Sequence, residues 1–286
     1  MPQEQTLSME QFHASDNTEI NYISMGAGEL CLVFLHGWTA SSREWLPFAA
    51  ELSERHQVIC WDARGHGFHV YRSQTEMTLA RMADDLEELL AHLELTNVVL
   101  IGHSMGALTA WEYIRRHSDA RLKGLCIVDQ SPKLVTDDAW RNGVYSEFNA
   151  AKNQTFLKRL EEDFAEAVLE LIAFGHNRRS RENYEANSRG FQQMREHLHK
   201  LHGSLLTRCW DSITQQDYRP VLPSIQCPTL LVYGDESQFY SADLQAYVHQ
   251  HTPNSQLLIY PDSDHSPHLW HRERFIYDLN RYTESL

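Results

Sequence analysis

LIGHSMGAL, residues 100 to 108, sets a serine between two glycines, and what flanks it decides how it is read. Upstream, NVVLIG (97–102) is a short β-branched run, and downstream, ALTAWEYIRRH (107–117) has the composition of a helix. Gly102-His103-Ser104-Met105-Gly106 therefore occupies a strand-to-helix turn. It matches the G-x-S-x-G pattern, in which a crowded backbone admits only glycine on both sides. Such a turn exposes the Ser104 hydroxyl above the sheet edge and aims the free N–H groups of the following helix at any oxyanion formed there. A serine between glycines also suits an ordinary loop or helix cap; the strand-then-helix setting favours a nucleophile.

Working outward, short apolar runs alternate with longer amphipathic stretches, the pattern of a mainly parallel sheet covered by helices. Strands are expected at LCLVFL, QVICWD (57–62), NVVLIG, GLCIVD (124–129), TLLVYG (229–234) and QLLIYP (256–261). Segments around Leu7 to Phe12 and Glu19 to Ser24 read as an antiparallel hairpin at the sheet edge, which makes eight strands. Thr78 caps a helix whose apolar residues Leu79, Met82, Ala83, Leu86, Leu89, Leu90 and Leu93 recur at three- and four-residue steps. The alternation breaks after Asp129. FLKRLEEDFAEAVLELIAF (156–174) and FQQMREHLHKLHGSLL (191–206) have helical spacing with no β-like run between them, and the proline-rich RPVLPSIQCP (219–228) marks the return to the sheet. The expected organisation is a core of residues 1–132 and 215–286, with a helical cap of residues 133–214 inserted after the sixth strand.

Composition narrows the function. A chain of 286 residues, 42% hydrophobic, is ample for one large α/β domain. No run approaches the roughly 18 apolar residues of a membrane span, and MPQEQTLSMEQF has no basic region followed by an apolar stretch. A cytoplasmic protein without membrane contact is expected. The formal net charge of −14 disfavours a nucleic-acid partner, which requires clustered Lys and Arg. Cys31, Cys60, Cys126, Cys209 and Cys227 are odd in number and widely spaced, so free buried thiols are expected. His265, His268 and His271, and separately His197, His199 and His202, are dense in imidazole but lack the HExxH form or a completing carboxylate, so no metal is assigned. No cofactor is implied, since R-G-H-G is not a dinucleotide fingerprint and no G-x-x-x-x-G-K-[ST] occurs. No protein partner is identifiable.

A second motif, LHGWTASSREW (35–45), follows an earlier strand. A His-Gly followed by a backbone N–H supplies the other oxyanion donor in sites of this kind, which assigns that role to the amides of Trp38 and Met105. With these residues the chain resembles the α/β-hydrolase fold family over most of its length. DARGHG (62–67) is similar to the family's D-x-R-G-x-G turn, with Phe68-His69 where a serine is common. SDHSPHL (263–269) resembles the family's histidine loop, which implies His265 as general base; Asp264 stands where glycine is usual, and His268 is a rival.

The resemblance implies a triad in which Ser104 attacks a carbonyl, His265 carries the proton, and a carboxylate orients and stabilises the imidazole. In the family that acid most often stands three residues past the glycine of TLLVYG, and here the position is Ser237. Asp235 and Glu236 are nearby substitutes. The other candidate is Asp129 in CIVDQSP, one strand away, and parallel neighbours lie only about 4.8 Å apart. Some α/β-hydrolases place their acid there, and DQSP together with SQ-x-Y resembles such a subgroup; Asp129 is preferred to Asp235. The reaction expected is hydrolysis of a small carboxylic ester through an acyl-enzyme. The same triad also serves carbon–carbon, lactone and amide hydrolysis and cofactor-free perhydrolysis, and the fold can serve as a non-catalytic ligand receptor. Trp38, Trp140 and Tyr145, with Phe148, are candidates for an apolar substrate pocket, and each suits the core equally well.

Overall fold

The computed structural model describes residues 9–67 and 75–286. The expected start of the first strand at Leu7 and Ser8, and Phe68-His69, lie outside the described residues. The strands are β1 (Met9–His13), β2 (Glu19–Met25), β3 (Cys31–Leu35), β4 (Gln57–Asp62), β5 (Val98–His103), β6 (Leu122–Val128), β7 (Thr229–Gly234) and β8 (Ser255–Tyr260). They form one sheet in the order β1-β2-β4-β3-β5-β6-β7-β8. β1 pairs antiparallel with β2 and β2 antiparallel with β4; every other pairing is parallel. The chain thus has the expected α/β architecture, a mainly parallel eight-stranded sheet flanked by helices.

The helices are α1 (Leu46–Leu52), α2 (Leu79–His92), α3 (Met105–His117), α4 (Ala150–Glu162), α5 (Phe164–Ala173), α6 (Arg178–Glu185), α7 (Arg189–Leu198), α8 (Gly203–Thr214), α9 (Ala242–His251), α10 (Pro267–Trp270) and α11 (Arg272–Thr283). Helices on both faces bury the central strands completely, which is why β3, β5 and β7 read as unbroken apolar runs. Successive residues point to opposite faces. Val33, Leu35 and Ile59 pack with Leu86 of α2 and Leu108 of α3, whereas Leu32, Phe34 and Val58 pack with Phe48 of α1 and Phe275 of α11. The five cysteines are free and buried. Among the described residues no helix is long and apolar enough to cross a membrane.

Thr78 caps α2 as expected, its hydroxyl accepting from Arg81 N at 3.2 Å. The buried face of that helix also carries Asp85, which the apolar periodicity does not anticipate. Its carboxylate receives Arg64 Nε at 2.5 Å and a terminal guanidinium nitrogen at 2.7 Å. Arg64 belongs to the DARGHG turn and also reaches Asp16, 3.0 Å away beside the β1–β2 hairpin. One buried guanidinium therefore ties three segments together.

Helices α4 to α8 all lie between β6 and β7. The two long helices expected there are each broken. At Asp163 the backbone turns extended, with φ −150° and ψ 93°, and the carboxylate caps α5 by accepting from Glu166 N at 3.1 Å. The apolar spacing runs on across the break because the two helices pack on each other, which hid it from periodicity. The second break, at residues 199–202, brings Gly203 against Phe164, where a Cβ would lie 2.9 Å from the ring.

Candidate active site

The turn between β5 and α3 is as tight as its sequence implies. Ser104 has φ 53° and ψ −118°, a left-handed conformation that costs about 1–3 kcal/mol in a non-glycine residue and must be held by its surroundings. The surroundings are the flanking glycines. A Cβ on Gly106 would fall 2.0 Å from the Leu35 carbonyl oxygen, and one on Gly102 would fall 2.6 Å from Ala107 N. Ser104 N donates to the Val128 carbonyl of the neighbouring strand at 3.2 Å, and the residue forms the N-cap of α3.

Ser104 and His265 line one cavity of about 550 Å³, together with Trp38 and Met105. His265, in the loop after β8, donates from Nδ1 to Asp129 Oδ2 at 2.6 Å. Asp129 follows β6, has φ 45° and is fully buried. Of the acids weighed for the site, Asp129 is the one brought to His265. Asp235 and Glu236 line a separate polar pocket with His176 and Arg179. Ser237, at the position where the family usually has the acid, donates its hydroxyl to the same Asp129 oxygen at 2.7 Å.

The motif pair DQSP and SQ-x-Y acquires a physical meaning here. Asp129 pairs with Ser237, the Tyr240 hydroxyl donates to Gln130 Oε1, and Gln238 Oε1 accepts the backbone N–H of His265 at 2.9 Å. Asp129 and His265 are thus held by one buried hydrogen-bonded lattice between the loops after β6 and β7. Asp264 does not need the left-handed backbone that would demand glycine; its carboxylate accepts from Ser266 N at 2.8 Å and orders the loop.

Burial pushes the proton affinity of His265 below the ordinary histidine value, and the nearby charge of His103 pushes the same way, against the pull of Asp129. The imidazole is therefore available as a base at neutral pH. His268, the rival base, is buried against Glu44 instead, with Nε2 3.0 Å from the carboxylate, and burial pushes it down to about 4. His271 reaches only the Pro261 carbonyl, so the three histidines of this loop face three different partners.

Trp38 joins the turn after β3 to the helices over the sheet. Its Nε1 donates to the Leu206 carbonyl of α8 at 3.0 Å, and its ring packs on Trp210 at 4.8 Å. Trp140 and Tyr145, expected to line a substrate pocket, do not line this cavity. Trp140 donates to the Lys133 carbonyl and packs edge-on against Tyr247, while the Tyr145 hydroxyl is satisfied by the Leu171 carbonyl and its ring packs on Phe239. Both aromatic side chains complete the core. The walls are instead a mixture of aliphatic residues, Leu108, Leu134, Val168, Leu171 and Ile213 among them, and other aromatic ones, Trp38, Trp210 and Phe239. Nothing in a run of aliphatic residues on amphipathic helices distinguishes cavity from core.

Two residues that sequence reasoning passed over are Glu44, within LHGWTASSREW, and His103, within GHSMG. Glu44 Oε1 lies 2.6 Å from His103 Nδ1, and its Oε2 accepts Gly37 N at 2.9 Å.

The profile of a family described as alpha/beta hydrolase fold matches residues 31–272. The chain is 31% identical over 256 residues to a non-heme chloroperoxidase, CPO-A1, of Kitasatospora aureofaciens, covering 87% of this chain and 90% of that one. It is 26% identical to a pimeloyl-[acyl-carrier protein] methyl ester esterase of Chromobacterium violaceum, covering 89% and 94%. In three dimensions it is similar to an esterase from Exiguobacterium antarcticum, with a TM-score of 0.82 at 24% identity, covering 97% of this chain and all of that one.

Proposed function

The chain belongs to the α/β-hydrolase fold family, and from that premise we propose that it hydrolyses a carboxylic ester through an acyl-enzyme on Ser104. The observation that carries this reading is the strained Ser104 turn opening into the same cavity as His265, which is paired with the buried Asp129 behind it. Ser104 Oγ attacks the ester carbonyl while His265 Nε2 takes its proton; Asp129 steadies the imidazolium so formed. The amides of Trp38 and Met105 receive the charge that develops on the carbonyl oxygen, and α3 adds the positive end of its dipole. His265 then returns the proton to the leaving alcohol. Water, deprotonated by the same histidine, attacks the acyl-enzyme and releases the acid. The aliphatic and aromatic walls of the cavity suit an apolar acyl group.

A second reading shares every residue. The similarity to a chloroperoxidase favours perhydrolysis, in which hydrogen peroxide replaces water at the acyl-enzyme and leaves as the peracid while Ser104 regains its proton. The test of both is turnover of p-nitrophenyl esters from acetyl to palmitoyl, with and without peroxide and with Ser104→Ala as blank. Turnover that vanishes in the blank is expected. Absence of Ser104-dependent turnover at every length would overturn the esterase and leave hydrolysis of another bond, such as carbon–carbon, or a ligand receptor on the same fold.

A further inference from the structure

Glu44, His103 and His268 form a largely buried group beside the candidate catalytic residues, with Glu44 and His103 lining the same cavity, and the chemistry assigned to Ser104, His265 and Asp129 does not use it. His103 is placed between two oxygens. Its Nδ1 lies 2.6 Å from Glu44 Oε1 and its Nε2 lies 2.8 Å from the backbone carbonyl of His265. His103 Nε2–H donates to that carbonyl, and the Glu44 carboxylate beside Nδ1 stabilises a second proton on the ring, which favours the imidazolium form. Glu44 in turn takes the Gly37 N–H at 2.9 Å and His268 Nε2 at 3.0 Å. Its contacts therefore span the turn after β3, the Ser104 turn and the histidine loop, the three segments that must keep register for the reaction.

We propose that Glu44 and His103 are positioning residues of this active site, a buried carboxylate–imidazolium pair that fastens the His265 loop and the oxyanion turn to the nucleophile turn. The proposal rests on Ser104 and His265 acting as nucleophile and base. Burial opposes charge on both members, and their mutual attraction outweighs it, holding Glu44 well below the usual carboxylate range and His103 above the ordinary histidine value.

The pair also touches the chemistry electrostatically. The rings of His103 and His265 are 4.8 Å apart, so a charged His103 disfavours protonation of His265 and keeps it a free base to lower pH. The other titratable groups facing the two imidazoles are Asp129 from the end of β6, Tyr240 from the loop after β7, Asp264 from the histidine loop and His268 from α10.

The experiment measures the rate at which a fluorophosphonate labels Ser104 between pH 4 and 9, in the wild type and in His103→Gln, Glu44→Gln and Glu44→Asp. Removing the His103 charge moves the acid limb of the profile upward by about one pH unit, within the range for unit charges at this separation in a partly screened site. Glu44→Gln moves it the same way but less, because the attraction of Glu44 for the His265 imidazolium is lost together with the charge on His103. Glu44→Asp keeps the charge and keeps the limb. The plateau rate falls about tenfold or more in the two neutral variants as the loops lose register. A merely structural pair would lower the plateau and leave the limb in place; that result, or an unchanged rate throughout, overturns the proposal. Should one neutral variant fail to fold, the other carries the same prediction. No labelling of Ser104 in the wild type would overturn the serine-hydrolase reading and this proposal together, whereas labelling with an unmoved limb overturns the proposal alone.

Discussion

Replacing Asp129 by asparagine keeps the shape of the side chain and removes its charge. Asp129 is fully buried, with His265 Nδ1 2.6 Å from Oδ2 and the Ser237 hydroxyl 2.7 Å from the same oxygen. In the resting enzyme a neutral imidazole tolerates the amide. In the transition state it becomes an imidazolium, and the attraction of a unit charge at that separation is about 6 kcal/mol at an effective dielectric of ~20. At ~1.36 kcal/mol per decade this corresponds to roughly four decades in kcat, the size of the loss when a serine triad suffers the same change. The assay is kcat for the best p-nitrophenyl ester, with circular dichroism to establish that the variant is folded. Asp235→Asn, which alters a separate polar pocket, is expected to stay within about threefold of wild type. A folded Asp129→Asn with near-normal kcat, or a loss of several decades in Asp235→Asn, would refute the assignment of the acid.

Three further outcomes follow from the same contacts. Because burial and His103 lower the proton affinity of His265, the base stays unprotonated below the ordinary histidine value; the acid limb of kcat/KM should have its midpoint below pH 6.5, and a midpoint above it would contradict the electrostatic account. Asp85→Ala removes the bidentate partner of the fully buried Arg64 guanidinium and leaves it only Asp16 and the Glu76 carbonyl, and should cost about 3 kcal/mol of stability, read as a large fall in Tm or denaturation midpoint; a change under about 1 kcal/mol would show that the pair is not buried as described. Moving the acid back to the position usual in the family, by Ser237→Asp in an Asp129→Ser background, should recover at least about tenfold of the activity lost by Asp129→Ser alone, since the Ser237 hydroxyl already lies 2.7 Å from the oxygen it would replace.

The fold was legible because strands buried on both faces must be continuously apolar, and CLVFL, VVLIGH and TLLVYG are such runs. Ser104 was legible for a related reason. Steric crowding allows only glycine at 102 and 106, so the pattern is written directly into the chain. The acid was harder, since Asp129 and Asp235 both follow strand ends and only the direction of each loop separates them. Glu44 gives no local signal at all: its partners Gly37, His103 and His268 are 7, 59 and 224 residues away in the chain and meet only in the folded molecule. The helix breaks at Asp163 and at residues 199–202 were hidden by an apolar spacing that continues through them. Trp140 and Tyr145 fall in the irregular stretch before α4, where an aromatic residue carries no mark of whether it faces a cavity or the core.

The central claim is that Ser104 is a nucleophile activated by His265. Incubation with a fluorophosphonate followed by peptide mass spectrometry tests it without knowledge of the natural substrate. A single adduct on the peptide containing Ser104, formed at least about a hundredfold more slowly in His265→Ala and absent in Ser104→Ala, is the predicted result. An unlabelled Ser104, or labelling at an undiminished rate without His265, would contradict it.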